Sequence, residues 1–127
     1  MSLFHAMPSP NWNDRPAGQV IDLLILHYTG MVSAAAALAR LCDPAAEVSA
    51  HYLIDEDGTV YALVEEQHRA WHAGKAFWRG DSAINSRSIG IELVNPRTGQ
   101  VRVNGVSLSG QEQTILRDAC ERQKLTR

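Results

Sequence analysis

Leu24-Ile25-Leu26-His27-Tyr28-Thr29-Gly30 is the stretch that decides the fold, because it predicts a buried strand with a histidine at its carboxyl end. The apolar run begins at residue 20, and a run this apolar without alternation is typical of a central strand covered on both faces. Ser88-Ile89-Gly90-Ile91-Glu92-Leu93-Val94 predicts a second buried strand. Ligands of α/β sheets bind in the crevice outside the strand ends. His27 and Glu92 are therefore the first candidates for a functional site.

Capping and turn signals divide the segment between these two strands. Residues 32–41 are rich in alanine and predict a helix, with Ser33 as its N-terminal cap. Asp43-Pro44 ends that helix, because the residue before a proline avoids the helical region. An Asp-Gly pair separates the apolar runs 50–55 and 59–64, and this pattern is a strong signal for a β-hairpin.

The remaining segments predict loops and one further helix. Residues 8–18 predict an extended loop, residues 67–86 a structured loop, and residues 100–108 a short edge strand or hairpin. A final helix is expected from Gln111 to about Leu125. Strands separated by helices indicate a single α/β domain over the whole chain, with a mixed central β-sheet flanked by helices.

Composition and charge narrow the function classes. At 127 residues the chain is one domain, and its net charge of −2 gives no electrostatic case for binding nucleic acid or an anionic membrane. The first residues contain no basic segment followed by an apolar run, and no apolar stretch approaches the roughly 20 residues that span a bilayer. We therefore expect a cytoplasmic protein without nucleic-acid or membrane partners. The oligomeric state is not indicated.

Four blocks of sequence carry a family resemblance. They are His27-Tyr28-Thr29-Gly30, Ser49-Ala50-His51-Tyr52, Arg69-Ala70-Trp71-His72-Ala73-Gly74 and Ser88-Ile89-Gly90-Ile91-Glu92-Leu93. In this order and spacing they resemble the zinc-dependent N-acetylmuramoyl-L-alanine amidases, which share a fold with the peptidoglycan recognition proteins. The resemblance implies hydrolysis of the amide between the lactyl group of N-acetylmuramic acid and L-alanine, in peptidoglycan or its turnover fragments. Muropeptides are then the expected partners, and cell wall recycling the expected process.

The resemblance also implies roles for the two strand-end residues. His27 matches the first zinc ligand, although a lone histidine at a strand end is more often structural. Glu92 matches the general base that activates the metal-bound water, although a glutamate on an exposed strand face is the alternative. A carboxylate among aliphatic residues is costly to bury unless it is paired or used. Some branches use a tyrosine for a related role, and Ala50 stands at that position here.

Other aromatic and polar residues, within the four blocks or between them, are further candidates. His72 and Trp71 lie in the loop that borders the cleft in relatives, and with Asn85 they are our candidates for substrate contacts. Trp78 either stacks on a sugar or fills the core. His51 is expected to pack or hydrogen bond rather than to bind metal.

The resemblance leaves the metal site incomplete in this sequence. The family's site needs a second histidine and an acidic or thiol ligand near the C-terminus, and no histidine follows His72. We therefore expect a domain over residues 1–127 that lacks the C-terminal metal-ligand segment, so that the full zinc site is not encoded and hydrolysis by this chain is in doubt. A rearranged site using His51 or His72 stays open. The alternatives are a non-catalytic muropeptide-binding module and an inactive remnant.

Overall fold

The described part of the chain forms a five-stranded mixed sheet with one α-helix packed against it. A computed structural model describes residues 4–74, 80–95, 101–103 and 106–108. The strands are β1 (Phe4–Ala6), β2 (Trp12–Asp14), β3 (Leu23–Tyr28), β4 (Tyr52–Ile54), β5 (Val60–Ala62), β6 (His68–Ala70), β7 (Ser88–Leu93), β8 (Val101–Val103) and β9 (Val106–Leu108). The helix α1 spans Ala34–Leu41, and short 3-10 helices span Pro44–Ala46 and Ile84–Arg87.

The strand order of the main sheet is β1-β5-β4-β7-β3. β7 runs parallel to both β3 and β4, β4 is antiparallel to β5, and β1 is parallel to β5. The predicted mixed α/β architecture is confirmed. Within the part of the chain that the structure describes, the predicted central position of β3 is wrong, because β3 is the outermost of the five strands on its side and β7 lies inside it. The predicted burial of β3 on both faces is also wrong in the described structure, because Leu23 alone is buried and the next four residues are half-buried. An apolar run does not report the order of strands in the sheet.

Helix α1 follows its local signals closely. Ser33 caps it, with Oγ accepting a hydrogen bond from the Ala36 N–H at 3.1 Å, and the helix ends at Leu41 before Asp43-Pro44. Ala37 and Leu41 are buried, and they pack in the core with Leu53 of β4. The helix therefore covers the face of the sheet on which the core lies. None of the helices in the described ranges is long and apolar enough to cross a membrane.

The predicted Asp-Gly hairpin is confirmed. β4 and β5 pair antiparallel, with Tyr52 opposite Ala62 and Ile54 opposite Val60. The turn closes with the Asp55 N–H donating to the Thr59 carbonyl at 2.9 Å. Gly58 lies in this turn at φ +90°, a conformation that favours glycine. The hairpin places β4 beside β7, where the candidate site lies.

Two predicted loops contain short strands. β2 lies within residues 8–18 and β6 within residues 67–86, and the two pair antiparallel, with Trp12 opposite Ala70. The sequence did not predict them because three residues are too few to establish a strand period. Of the two alternatives predicted for residues 100–108, an edge strand or a hairpin, the structure contains the hairpin as the antiparallel pair β8 and β9. The predicted helix 111–125 and Trp78 lie outside the described residues.

Candidate active site

His27 and Glu92 meet across the β3–β7 pair. In the parallel register His27 is the partner of Glu92, one residue before each strand ends. Paired residues of neighbouring strands project to the same face of a sheet. The two side chains therefore share one face at the carboxyl ends of their strands, and the predicted juxtaposition is confirmed. Leu53 of β4 pairs with Glu92 on its other side and is fully buried, which helps to exclude water there.

The Glu92 carboxyl is poised to exchange a proton near neutral pH. Burial raises its pKa to about 7, because the protein interior disfavours the charged form. The side chain borders a cavity of about 340 Å³ whose lining also includes Thr29 and Arg40. A carboxyl with a pKa near the working pH can both accept and donate a proton during a reaction.

His27 contacts a second histidine, His72. His27 Nε2 lies 2.9 Å from His72 Nδ1, and the two rings meet edge to face with centroids 5.2 Å apart. Burial lowers the pKa of both imidazoles, so both are neutral at pH 7. His72 borders the 340 Å³ cavity and also a neighbouring cavity of about 700 Å³ that His27 lines. These two adjoining cavities, which also share Val48 and Trp71, are called the cleft below.

The other contacts of His72 fix its ring firmly in place. Its Nε2 lies 2.9 Å from Ser88 Oγ, and Ser88 Oγ donates its proton to the Ile84 carbonyl at 2.7 Å. The ring also packs directly on Gly90 of β7, where a Cβ atom would lie 2.3 Å from His72 Cγ. Because both ring nitrogens contact protein groups, a contact between His72 and substrate stays a prediction and would involve ring carbons.

Trp71 and Asn85 also border the cleft. Asn85 Oδ1 accepts hydrogen bonds from the N–H groups of His72 at 3.2 Å and Ala73 at 2.9 Å, so it holds the backbone of this loop. The Trp71 indole N–H donates to Asn13 Oδ1 at 3.1 Å. These contacts orient both side chains at the cleft, and their contact with substrate stays a prediction.

His51 has the hydrogen-bonding role predicted for it. The side chain is fully buried, its Nδ1 accepts from the Gly90 N–H at 3.0 Å, and its Nε2 lies 2.9 Å from the His68 carbonyl. Burial is the largest cause of its lowered pKa. His51 thus joins β7 to β6 beneath the cleft.

Arg15 is a structural residue of the site that the sequence did not indicate. Its guanidinium donates five hydrogen bonds, at 2.9–3.1 Å, to the backbone carbonyls of Glu66, Asn85, Ser86 and Ser88. It therefore ties the N-terminal segment to the start of β7 and to the 3-10 helix that carries Asn85. A lone arginine in a proline-rich loop gives no sequence signal for such a role.

The described residues contain one candidate zinc ligand, His27. Catalytic zinc is held by three protein ligands with an open fourth position. His27 is a neutral imidazole that lines the cleft, which suits a ligand. Within residues 4–74 and 80–95, however, no group of three His, Cys, Asp or Glu side chains could hold a metal ion. Zinc at His27 therefore needs ligands from outside these segments, and no step through zinc follows from the described geometry.

Comparison with known proteins identifies the family. Residues 17–126 match the N-acetylmuramoyl-L-alanine amidase family. The chain belongs to this family. All four blocks that carry the resemblance lie within the matched residues, and the strand-end pair of His27 and Glu92 is part of two of them.

Individual relatives agree in sequence and in fold. The chain is 42% identical to the Escherichia coli amidase AmiD over 82 residues, which cover 59% of this chain and 29% of AmiD. It is 34% identical to the Escherichia coli 1,6-anhydro-N-acetylmuramyl-L-alanine amidase AmpD over 104 residues, which cover 68% of this chain and 57% of AmpD. A crystal structure of AmpD superposes with a TM-score of 0.69 at 31% identity, covering 80% of this chain and 66% of AmpD.

A second solved structure contains a ligand. The complex of Escherichia coli AmiD with anhydro-N-acetylmuramic acid-L-Ala-D-gamma-Glu-L-Lys, described as its substrate, has a TM-score of 0.56 at 34% identity. It covers 80% of this chain and 42% of AmiD. The chain thus spans less than a third of AmiD and just over half of AmpD among these curated relatives.

Proposed function

We propose that the protein hydrolyses the amide between N-acetylmuramic acid and L-alanine in soluble peptidoglycan fragments. The observation that carries the proposal is the pairing of His27 with Glu92 at the end of two parallel strands beside a cleft. Family membership supports the reaction class. The name of AmpD and the ligand of AmiD support an anhydro-muropeptide as the substrate. Recycling in the cytoplasm fits such a substrate and stays a prediction.

Glu92 is the proposed proton carrier of the reaction. With a pKa of about 7 it accepts a proton from the attacking water and returns it to the amine of the departing L-alanine. His27 is the proposed zinc ligand, and zinc when bound would polarise the amide carbonyl and acidify the water. The half-buried Trp71, which lines both parts of the cleft, offers an apolar surface to the sugar or peptide.

A non-catalytic muropeptide-binding module is the second candidate. Family membership and the amidase names of the relatives do not favour it. A non-catalytic binding module would bind the muropeptide in the cleft, against Trp71, and Glu92 would transfer no proton. The two candidates therefore differ in what Glu92 does, and the same substrate tests both.

The test uses the chain extended at its C-terminus with the segment of AmiD that follows the matched region. Zinc-loaded protein is incubated with anhydro-N-acetylmuramic acid-L-Ala-D-gamma-Glu-L-Lys, and release of the tripeptide is followed by chromatography. We expect hydrolysis by the parent. The Glu92→Gln variant should keep its zinc and lose about 10²–10⁴-fold in rate, as is typical when a general base is removed.

The His27→Ala variant is the matched comparison, because it should lose zinc as well as activity. Measuring zinc content and rate together separates the ligand role from the proton-transfer role. Binding of the muropeptide without hydrolysis by the extended chain would favour the module. Hydrolysis by Glu92→Gln at the parent rate would contradict the assigned base.

A further inference from the structure

We propose that His72 is a positioning residue that sets the tautomer of His27. The evidence is a hydrogen-bond chain that runs from the Ile84 carbonyl through Ser88 and His72 to His27. In each hydrogen bond of this chain only one of the two partners can donate. The donor in each bond therefore fixes the donor in the next, as far as the His27 ring. The proposal rests on the proposed function only where it concerns metal binding at His27. The tautomer of His27 can be measured without metal or substrate.

The chain begins at a group that can only accept. The Ile84 carbonyl accepts the proton of Ser88 Oγ at 2.7 Å. A hydroxyl has one proton to donate, so Ser88 Oγ offers only lone pairs to its second partner, His72 Nε2, at 2.9 Å. His72 therefore carries its proton on Nε2.

The direction then passes to His27. A neutral imidazole with its proton on Nε2 has a lone pair on Nδ1. His72 Nδ1 therefore accepts from His27 Nε2 at 2.9 Å, and the proton of His27 lies on Nε2. The lone pair of His27 is left on Nδ1. Among residues 4–74 and 80–95, no contact at hydrogen-bond distance is made by that nitrogen.

Gly90 makes this arrangement possible. The ring of His72 lies so close to Gly90 that a Cβ there would approach Cγ to 2.3 Å and Nδ1 to 2.5 Å. The Gly90 N–H donates to His51 Nδ1, and the Gly90 carbonyl accepts from the His51 N–H at 2.9 Å. Gly90 is thus fixed by one histidine while a second packs on it. Packing on Gly90 of β7 and the hydrogen bond with Ser88 together fix the position of the His72 ring.

The consequence concerns metal binding at His27. A histidine that binds a metal through one ring nitrogen usually donates its other N–H to a neighbouring acceptor, which fixes the ring and raises its basicity. That acceptor is commonly a carboxylate or a carbonyl, and here it is the imidazole of His72. His27 is thereby held as a ligand that would bind through Nδ1.

The test is long-range ¹H–¹⁵N NMR of the metal-free chain, which distinguishes protonated from unprotonated ring nitrogens. We expect both His27 and His72 to carry the proton on Nε2. A matched pair of variants separates positioning from packing. His72→Asn keeps an acceptor near the Nδ1 position, whereas His72→Gln keeps a polar group near the Nε2 position only.

The His27 ring should keep its Nε2 proton in His72→Asn. In His72→Gln the ratio of its two tautomers should shift by about fivefold, the bias that one ordinary hydrogen bond supports. Should either variant fail to fold, Ser88→Ala provides the second route, because it removes the acceptor that orients His72 and should also release the tautomer of His27. A proton on His27 Nδ1 in the parent, or the same ratio in the parent, His72→Gln and Ser88→Ala, would overturn the proposal.

Discussion

Replacing Gly90 with alanine tests how tightly the cleft histidine is packed. The added Cβ would lie 2.3 Å from Cγ and 2.5 Å from Cδ2 and Nδ1 of His72. If the ring stays, overpacking costs about 1–3 kcal/mol. If the ring swings away, it loses its contacts with His27 and Ser88, at about 1 kcal/mol each. Both routes give a penalty of about 2 kcal/mol. Alanine also recovers about 0.5–1 kcal/mol of backbone entropy in a strand, so the expected net loss is about 1–1.5 kcal/mol.

Urea unfolding of four proteins measures this coupling: the parent, Gly90→Ala, His72→Ala and the double variant. In the His72→Ala background the clash is gone, and Gly90→Ala should be neutral or stabilising by about 0.5–1 kcal/mol. The coupling free energy should therefore be about 2 kcal/mol. An equal cost of Gly90→Ala in both backgrounds would refute the reasoning, because the penalty would then come from another neighbour or from the backbone.

Three further predictions concern Arg15, zinc and Glu92. Arg15→Lys should lower the unfolding free energy in urea by about 2–3 kcal/mol, because an ammonium group cannot reproduce five hydrogen bonds to four carbonyls; a loss below about 0.5 kcal/mol would contradict this role. The purified 127-residue chain should lose added zinc on gel filtration, because residues 4–74 and 80–95 hold no group of three ligands, no histidine follows His72, and affinity depends on the number of ligands held together; stoichiometric zinc in the protein peak would show that ligands were missed. The contribution of Glu92 to the unfolding free energy should fall as pH rises from about 4.5 to about 7, because over that window the folded state binds the Glu92 proton and the unfolded state has released it. The buried histidines His27, His51 and His72, whose pKa values are lowered, contribute in the opposite direction. The Glu92 contribution amounts to at most about 3–4 kcal/mol, and it is measured as the difference between the pH series of urea midpoints of the parent and of Glu92→Gln.

Local chemistry explains which parts of the fold could be predicted. Ser33 and Asp43-Pro44 set the bounds of α1 through caps, and Asp57-Gly58 set the hairpin through a turn, so each signal acts within a few residues. β2 and β6 were missed because strands of three residues are formed by their pairing with each other and not by their own pattern. The outermost position of β3 was missed for a similar reason, since strand order depends on pairings between distant segments.

The candidate site shows the same difference between local signals and long-range contacts. His27 and Glu92 could be named from the sequence because each follows an aliphatic run in a family motif. The contacts that hold these two residues in place could not be predicted, because they join residues far apart in the chain. His72 contacts His27 across 45 positions, and Arg15 contacts the Ser88 carbonyl across 73. Gly90 was visible as part of a motif, but the ring that requires it to be glycine was visible only in the structure.

The most direct test of the account is the titration of Glu92 itself. The central claim is that two parallel strands bring the half-buried Glu92 carboxyl to the cleft, where desolvation raises its pKa to a value suited to proton transfer near neutral pH. Carbon-13 NMR of glutamate carboxyl groups, with Glu92→Gln to assign the resonance, follows the ionisation in the metal-free chain. The account predicts a midpoint at about pH 7. A midpoint near 4.5, the ordinary value for a glutamate, would contradict it.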